Sequence, residues 1–194
     1  MNRSVVIIIH EIYGVNDHIS TFSKRLTSQG FEVICPNLLD FELPFDYEQE
    51  EEAYHHFMNN IGFDHSVQRI SSLVEGVSRK YERVFLIGFS VGATIAWLCS
   101  KDQSIDGIIC FYGSRIREYV DIVPLCPTLL IFPEMEKSFN VDELIAGLGE
   151  KGNVTALKFE GLHGFCNPYS AYYHKESAQE SYERGLQFLR EQLK

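Results

Sequence analysis

The chain has 194 residues, 45% of them hydrophobic and 23% charged, which is the composition of a globular protein and excludes disordered and fibrous classes. Twenty-seven acidic residues against seventeen basic ones give a formal net charge of −10, so nucleic acid and membrane surfaces are not expected as partners and a small organic molecule is the expected ligand. The length fits one domain over residues 1–194, as a monomer or a homodimer.

The amino-terminal segment contains a short apolar run, residues 5–9, which is too short for a signal sequence or a membrane span. Five cysteines are an odd number without C-x-x-C spacing, and most of them lie in or beside apolar runs. This pattern predicts free thiols in a reducing compartment, and the cytoplasm is the expected location.

Six segments are rich in Val, Ile, Leu and Phe, are bounded by turn residues, and are predicted to be strands. In chain order they are SVVIIIH (4–10), FEVICP (31–36), RVFLIG (83–88), IDGIICFYG (105–113), PTLLIFP (127–133) and the alternating NVTALKFE (153–160). The first, third and fifth are almost continuously apolar, which is typical of strands covered on both faces in a parallel sheet.

Apolar residues at helical spacing predict five helices between and after these strands. They fall at residues 19–26, at 67–77 behind Asp64 as a candidate N-cap, at 93–100, at 141–148 and at 178–193. Strands that alternate with helices form right-handed βαβ units. The expected fold is a three-layer αβα sandwich around a mostly parallel six-stranded sheet, with strand order 2-1-3-4-5-6.

The stretch DFELPFDYEQEEEAYHHFMNN (40–60) is acidic and aromatic, and Pro44 interrupts it. A short helix from Tyr47 onward is expected to lie over the top of the sheet. The pattern fits a solvated insertion and a lid or pocket wall equally well.

The segment IGFSVG places Ser90 between Gly88 and Gly92, at a predicted strand end and helix start. This is the position of a nucleophile elbow, a turn that forces its central residue into unfavourable backbone angles and leaves no room for side chains at the flanking glycines. Ser90 is therefore the candidate nucleophile, and the amide of Val91 at the helix N-terminus is a candidate oxyanion donor. The alternative is a purely structural turn.

A serine nucleophile needs a base, and the base needs an acid that fixes its tautomer. In elbow-type hydrolases the acid and then the histidine follow the serine, so only His163 and His174 are candidate bases. His163 lies in the glycine-flanked loop EGLHGF after the last strand and is the predicted base, whereas His174 fits a surface histidine. The acid is expected after the fifth strand, where Glu136 is favoured over Glu134 and the more distant Asp142.

The predicted sheet order gives an independent indication of where the site lies. The order reverses beside the first strand, so a ligand is expected between the carboxyl ends of the first and third strands. The third strand ends at Ser90 and the first ends at HEIYG (10–14), where the amide of Ile12 is the candidate second oxyanion donor.

With the motifs HEIYGVNDHI (10–19), GFSVG and GLHGF, and with EEAYHHF around Tyr54, the chain resembles the dienelactone hydrolase family of α/β-hydrolases from the first strand to the final helix. The resemblance implies a minimal α/β-hydrolase fold and a hydrolase that cleaves a small ester, lactone or thioester. It implies that Ser90, Glu136 and His163 form a catalytic triad and that Ile12 and Val91 supply the oxyanion amides. The residues expected to line the substrate pocket are Glu11, which would lie close to the nucleophile, and Tyr13, Tyr54, Phe89 and Phe165.

The chain departs from the family's pattern at three places. The best-known members carry cysteine at the position of Ser90, and there the counterpart of Glu11 is thought to manage the thiol proton. The acid of the triad is usually an aspartate in this family, whereas this chain has a glutamate, Glu136, at the expected position. The arginines that grip the dienelactone carboxylate are replaced by Glu50 and Asn167, so dienelactone itself is not the expected substrate.

Other functional classes fit the sequence less well. A catalytically silent small-molecule binding protein with the same fold is the alternative to the enzyme. His10, Glu11 and His18 do not form H-E-x-x-H, and His55 and His56 are adjacent and so point apart on a helix, which gives no metal site. The GFSVG segment lacks the G-x-G-x-x-G spacing of dinucleotide sites, and no cofactor is expected.

Overall fold

The computed structural model describes residues 3–194 and contains one sheet of six parallel strands in the order 2-1-3-4-5-6, which confirms the predicted fold. The strands are β1 (Ser4–Ile9), β2 (Glu32–Ile34), β3 (Arg83–Phe89), β4 (Gly107–Phe111), β5 (Thr128–Pro133) and β6 (Val154–Phe159). Strand β1 pairs with both β2 and β3, so the order reverses there. This reversal opens a crevice at the carboxyl ends of β1 and β3.

Helices connect the strands and cover both faces of the sheet. They are α1 (Asp17–Ser28), α2 (Glu50–His56), α3 (Gly62–Ser78), α4 (Val91–Cys99), α5 (Val141–Leu148) and α6 (Lys175–Glu191). Residues from α3, α4 and α5 share one buried cluster with one face of the sheet, and residues from α1 and α6 share a second cluster with the other face.

The central strands are almost continuously apolar because each face of the sheet has its own helical layer. In β1, Val5 and Ile7 pack in the cluster of α3, α4 and α5, whereas Val6 and Ile8 pack in the cluster of α1 and α6. All four side chains are fully buried. Successive side chains of a strand point to opposite faces, so both faces of a strand between two layers require mostly apolar side chains.

The start of α3 differs from the prediction. The helix begins at Gly62, with Ile61 rather than Asp64 at its N-cap position, and Asp64 lies inside the first turn. A π-helical turn, Phe57–Ile61, leads directly into the helix, so the residues before Gly62 are already helical. A carboxylate in the first turn still interacts favourably with the helix dipole.

The acidic stretch is helical from Tyr47, as predicted, and forms part of the folded body of the protein. A turn of 3₁₀ helix, Tyr47–Gln49, leads into α2. Ala53 and Phe57 are buried in the core cluster of α3 and α4, whereas the glutamates of α2 are exposed. The stretch therefore packs against the core through one side and is not a fully solvated insertion.

All five cysteines are free. Within residues 3–194, no helix is long and apolar enough to cross a membrane.

Candidate active site

The turn between β3 and α4 places Ser90 in a backbone conformation that few side chains adopt, with φ 53° and ψ −114°. A Cβ atom on Gly88 would lie 2.1 Å from the carbonyl oxygen of Gly92, and one on Gly92 would lie 2.2 Å from the carbonyl oxygen of Ile9. Non-bonded atoms cannot approach so closely. The backbone segments lie so near each other that only glycine fits at positions 88 and 92. This is the geometry of a nucleophile elbow.

A chain of hydrogen bonds joins Ser90 to His163 and Glu136. The Oγ atom of Ser90 lies 3.0 Å from Nε2 of His163, and Nδ1 of the same ring lies 2.7 Å from Oε1 of Glu136. A carboxylate only accepts, so Nδ1 carries the ring proton and Nε2 is free to accept from the serine hydroxyl. The structure thus brings together three residues that the sequence separates by 73 and 27 positions.

The two other acidic candidates do not reach the histidine. Glu134 is exposed and makes no hydrogen bond or ion pair with His163, and Asp142 is paired with Lys158 at 2.5 Å. The side chain of Glu136 is only 6% exposed, because the loop after β5 folds it against the imidazole. Geometry therefore selects Glu136 from the acids that the sequence left open.

Three carboxylates act on the imidazole of His163. Burial favours its neutral form, but the hydrogen bond and charge of Glu136, with the charges of Glu11 and Glu50, outweigh burial and raise the pKa of His163 above its ordinary 6.5. The site is thus arranged to stabilise an imidazolium that forms beside Ser90.

The two residues predicted to supply the oxyanion amides follow adjacent strands of the sheet. Ile12 follows β1 and Val91 opens α4, and β1 and β3 are paired in register up to Ile9 and Gly88. The Val91 amide is one of the first of its helix, which have no partner inside the helix. Within residues 3–194 the Ile12 amide donates no hydrogen bond. The positions fit a pair of donors for a developing oxyanion.

Glu11 is buried, and both of its carboxylate oxygens are occupied within the fold. Oε1 accepts from the hydroxyl of Tyr112 at 2.9 Å, and Oε2 lies 3.4 Å from Nδ1 of His18. Burial alone would raise the pKa of the Glu11 carboxyl, but the contacts with His18 and Tyr112 outweigh it and lower that pKa. Tyr112 also packs its ring edge-on against His163, with centroids 5.0 Å apart. In the described residues, Glu11 has no hydrogen bond to Ser90.

The residues predicted to line the pocket divide into two groups. Tyr13 is half-buried and packs edge-on against Tyr47 at 4.8 Å, and Tyr54 is exposed and accepts a hydrogen bond from Arg115. Both side chains are partly accessible to solvent, and their place in the substrate pocket stays a prediction.

Phe89 and Phe165 do not line a pocket, and for them the prediction was wrong. Both are fully buried. Phe89 stacks on Phe111, with centroids 4.7 Å apart, because the last residue of β3 points into the layer of α1 and α6. Phe165 packs against Tyr112 in the same layer.

Tyr47 is a site residue that the sequence did not indicate. Its hydroxyl accepts from Nδ2 of Asn16 at 3.0 Å and from Nδ2 of Asn167 at 2.7 Å. The oxygens of those amides accept from the backbone amides of Ile19 and Tyr169, which fixes both nitrogens toward the phenol. Tyr47 therefore ties the acidic stretch to the loop after β1 and to the loop that carries His163. A cavity of about 220 Å³ lies beside this contact.

We expect Tyr47→Phe to lower the free energy of unfolding by about 1–3 kcal/mol, because the buried amides of Asn16 and Asn167 lose their common acceptor. Urea denaturation measures this change. Tyr172→Phe is the matched control, since that ring is 47% exposed and its hydroxyl has no hydrogen bond within residues 3–194. Equal stability of the two variants would contradict the assigned role.

His174, the other histidine that follows Ser90, has a structural role. His174 accepts from the backbone of Ser177 and caps the start of α6, and it lies 3.8 Å from Glu160. Within the part of the chain that the structure describes, no group of three or more His, Cys, Asp or Glu side chains is placed to hold a metal ion.

The parallel sheet, the elbow at the end of β3 and the crevice at the reversal of strand order define an α/β-hydrolase. The family model described as "Dienelactone hydrolase family" matches residues 2–193, so the chain belongs to that family.

The chain is also similar to individual proteins and solved structures. The chain is 39% identical over 177 residues to the uncharacterized protein YczH of Bacillus subtilis, covering 89% of this chain and 86% of YczH. Its fold is similar to the crystal structure of a "Putative Dienelactone Hydrolase" from Klebsiella pneumoniae, with a TM-score of 0.79, 21% identity, and coverage of 94% of this chain and 84% of that one. A dienelactone hydrolase-like promiscuous phosphotriesterase from metagenomic libraries gives a TM-score of 0.78 at 16% identity, with coverage of 97% and 86%.

Proposed function

We propose that this member of the dienelactone hydrolase family is a serine hydrolase that cleaves a small ester, lactone or thioester through an acyl-enzyme. The observation that carries the proposal is the hydrogen-bonded chain from Ser90 through His163 to Glu136. The names of relatives, among them dienelactone hydrolase and phosphotriesterase, support hydrolysis of ester bonds as the reaction class.

In the first half of the reaction, the Ser90 oxygen attacks the substrate carbonyl while Nε2 of His163 takes the hydroxyl proton. The carbonyl oxygen becomes an oxyanion and accepts hydrogen bonds from the backbone amides of Ile12 and Val91. Glu136 keeps the proton of Nδ1 in place and stabilises the imidazolium. The imidazolium then protonates the leaving alkoxide or thiolate, and the acyl group stays on Ser90.

In the second half, a water molecule takes the place of the leaving group. Nε2 of His163 removes one proton from that water, and the resulting hydroxide attacks the acyl-enzyme. Collapse of the second oxyanion breaks the bond to Ser90, which takes the proton back from the imidazolium. The products are a carboxylic acid and an alcohol or thiol, and the enzyme is restored.

The charges around the crevice favour neutral substrates over anionic ones. Glu50 is exposed at the start of α2, and its charge contributes to raising the pKa of both His163 and Tyr13. Asn167 is engaged by Tyr47. An anionic acyl group would be repelled by the carboxylate of Glu50 and by the net charge of −10 of the protein. We therefore propose an uncharged ester or lactone as the substrate.

Hydrolysis of p-nitrophenyl acetate and butyrate, and of an uncharged lactone such as dihydrocoumarin, tests the function. We expect saturable turnover by the wild-type protein, with lower kcat/KM for an ester that carries a carboxylate. Turnover of every ester at the background rate would favour the silent binding protein. In that case, an ester analogue should still bind in the crevice.

The pH dependence of kcat/KM follows from the raised pKa of His163. The base is active only when it is neutral, so kcat/KM should fall about tenfold for each pH unit below that pKa, with a midpoint above 6.5. Glu11→Gln removes one of the charges that favour the imidazolium and should move the midpoint to lower pH. Steady-state rates between pH 5 and pH 9 measure it. A midpoint that moves upward in Glu11→Gln would contradict the electrostatic assignment.

A further inference from the structure

His10 lies at the carboxyl end of β1, is 2% exposed, and is held by hydrogen bonds at both ring nitrogens. Its Nε2 lies 2.8 Å from the backbone nitrogen of Leu38, and its Nδ1 lies 2.6 Å from the carbonyl oxygen of Glu11. A backbone N–H can only donate, so Nε2 is the acceptor. Nδ1 therefore carries the proton and donates to the Glu11 carbonyl. Burial lowers the pKa of His10 to about 4, so the ring keeps this neutral form near pH 7.

The Glu11 carbonyl and the Ile12 amide belong to one peptide group. That group is planar and trans, so its C=O and N–H point in opposite directions and cannot turn independently. A hydrogen bond that fixes the carbonyl therefore also fixes the direction of the amide. The backbone nitrogen of Gly14 donates to the same carbonyl at 3.3 Å, a longer contact than that of His10.

The opposite end of the His10 ring is also fixed. Arg69 donates from Nη1 to the carbonyl of Leu38 at 3.0 Å and from Nη2 to the carbonyl of Asn37 at 2.8 Å. The loop after β2 is thereby held on α3, and the Leu38 amide that binds His10 is held with it. A continuous set of contacts thus runs from α3 to the peptide that presents Ile12.

We propose that His10 is a positioning residue for the oxyanion hole, which holds the amide of Ile12 toward the developing oxyanion by binding the Glu11 carbonyl. The inference rests on the proposed function, because it assigns a role within that reaction. His10 itself does not touch the substrate. Its contribution is the orientation of a donor that must already be in place when negative charge appears on the carbonyl oxygen.

The variants His10→Leu and His10→Gln test the proposal. Leucine fills the space without a donor, so kcat should fall about 10- to 100-fold while KM changes less than about threefold, as expected when a transition-state interaction is lost. Glutamine has an N–H for the Glu11 carbonyl and an oxygen for the Leu38 amide, so it should recover most of the loss. Leu189→Ala, at a fully buried position of α6 outside the proposed site, controls for loss of stability and should leave kcat unchanged.

Nuclear magnetic resonance gives a readout that does not need turnover. In the wild-type protein, ¹⁵N resonances of His10 should show a protonated Nδ1 and an unprotonated Nε2. The Ile12 amide resonance should shift in His10→Leu and return toward its wild-type position in His10→Gln. The opposite tautomer, or an unchanged kcat and Ile12 resonance in folded His10→Leu, would overturn the proposal. If instead the wild-type protein shows no turnover while these resonances behave as stated, the proposed function fails and the assigned orientation stands.

Discussion

Ser90→Ala should lower kcat/KM for p-nitrophenyl acetate by about 10⁴- to 10⁶-fold, the largest effect expected for any single substitution in this protein. The loss is large because no other group in the described crevice can form the acyl-enzyme. Alanine and serine both carry a Cβ atom and are similarly strained at φ 53°, so the fold should stay intact. Steady-state kinetics and a thermal melt of the same preparation measure both effects.

A residual rate above the uncatalysed rate is expected in Ser90→Ala, since the amides of Ile12 and Val91 stay in place. Thr94→Val is a useful comparison, because Thr94 is fully buried in α4 and takes no part in the proposed reaction. Wild-type kcat/KM in a folded Ser90→Ala protein would contradict the assignment of the nucleophile.

Glu136→Gln should lower kcat by about 10²- to 10⁴-fold. The amide group of glutamine can donate to Nδ1 of His163 and so favour the ring tautomer whose Nε2 carries the proton. That tautomer cannot accept the Ser90 proton, although the geometry is nearly unchanged. The raised pKa of His163 should also fall, because Glu136 supplies the hydrogen bond and the adjacent charge that outweigh burial.

Glu134→Gln is the matched control for Glu136→Gln. It removes the same charge two residues earlier, from an exposed side chain that makes no hydrogen bond or ion pair with His163. Its kcat should stay within about twofold of the wild-type value, as expected for a surface substitution. Equal losses in the two variants would point to a general effect of charge in this loop and would contradict a specific role for Glu136.

Much of the fold could be predicted because its signals are local. The alternation that buries Val5 and Ile7 on one face and Val6 on the other makes β1 apolar from Val5 to Ile9, and this run is visible in the sequence. The strand order is one that doubly wound parallel sheets commonly adopt, and it places the end of β3 beside the end of β1.

The error at Phe89 has a simple physical origin. Proximity to Ser90 in the sequence suggested a place in the pocket, but successive residues of a strand point to opposite faces. Phe89 has the same parity as Phe85 and Ile87, and all three pack in the layer of α1 and α6. The alternation along β3 therefore indicates that Phe89 is buried in that layer and does not point into the pocket.

Other parts of the site could not be predicted because they depend on contacts between distant segments. Tyr47 meets Asn16 across 31 positions and Asn167 across 120. His10 contacts the Leu38 amide across 28 positions, and this contact requires Nε2 of the ring to be the acceptor. No periodicity or motif in the sequence reports such pairings. The structure is needed to place these side chains around the crevice.

The most direct test of the central claim is covalent labelling with a fluorophosphonate ester, followed by peptide mapping by mass spectrometry. A phosphonyl fluoride reacts much faster with an activated serine hydroxyl than with an ordinary one, and the bound phosphonyl oxygen occupies the place of the oxyanion. The proposed reaction predicts one adduct per chain, located on Ser90, that is absent from Ser90→Ala and forms much more slowly in Glu136→Gln. A folded wild-type protein that stays unlabelled, or that carries the adduct on another residue, would contradict it.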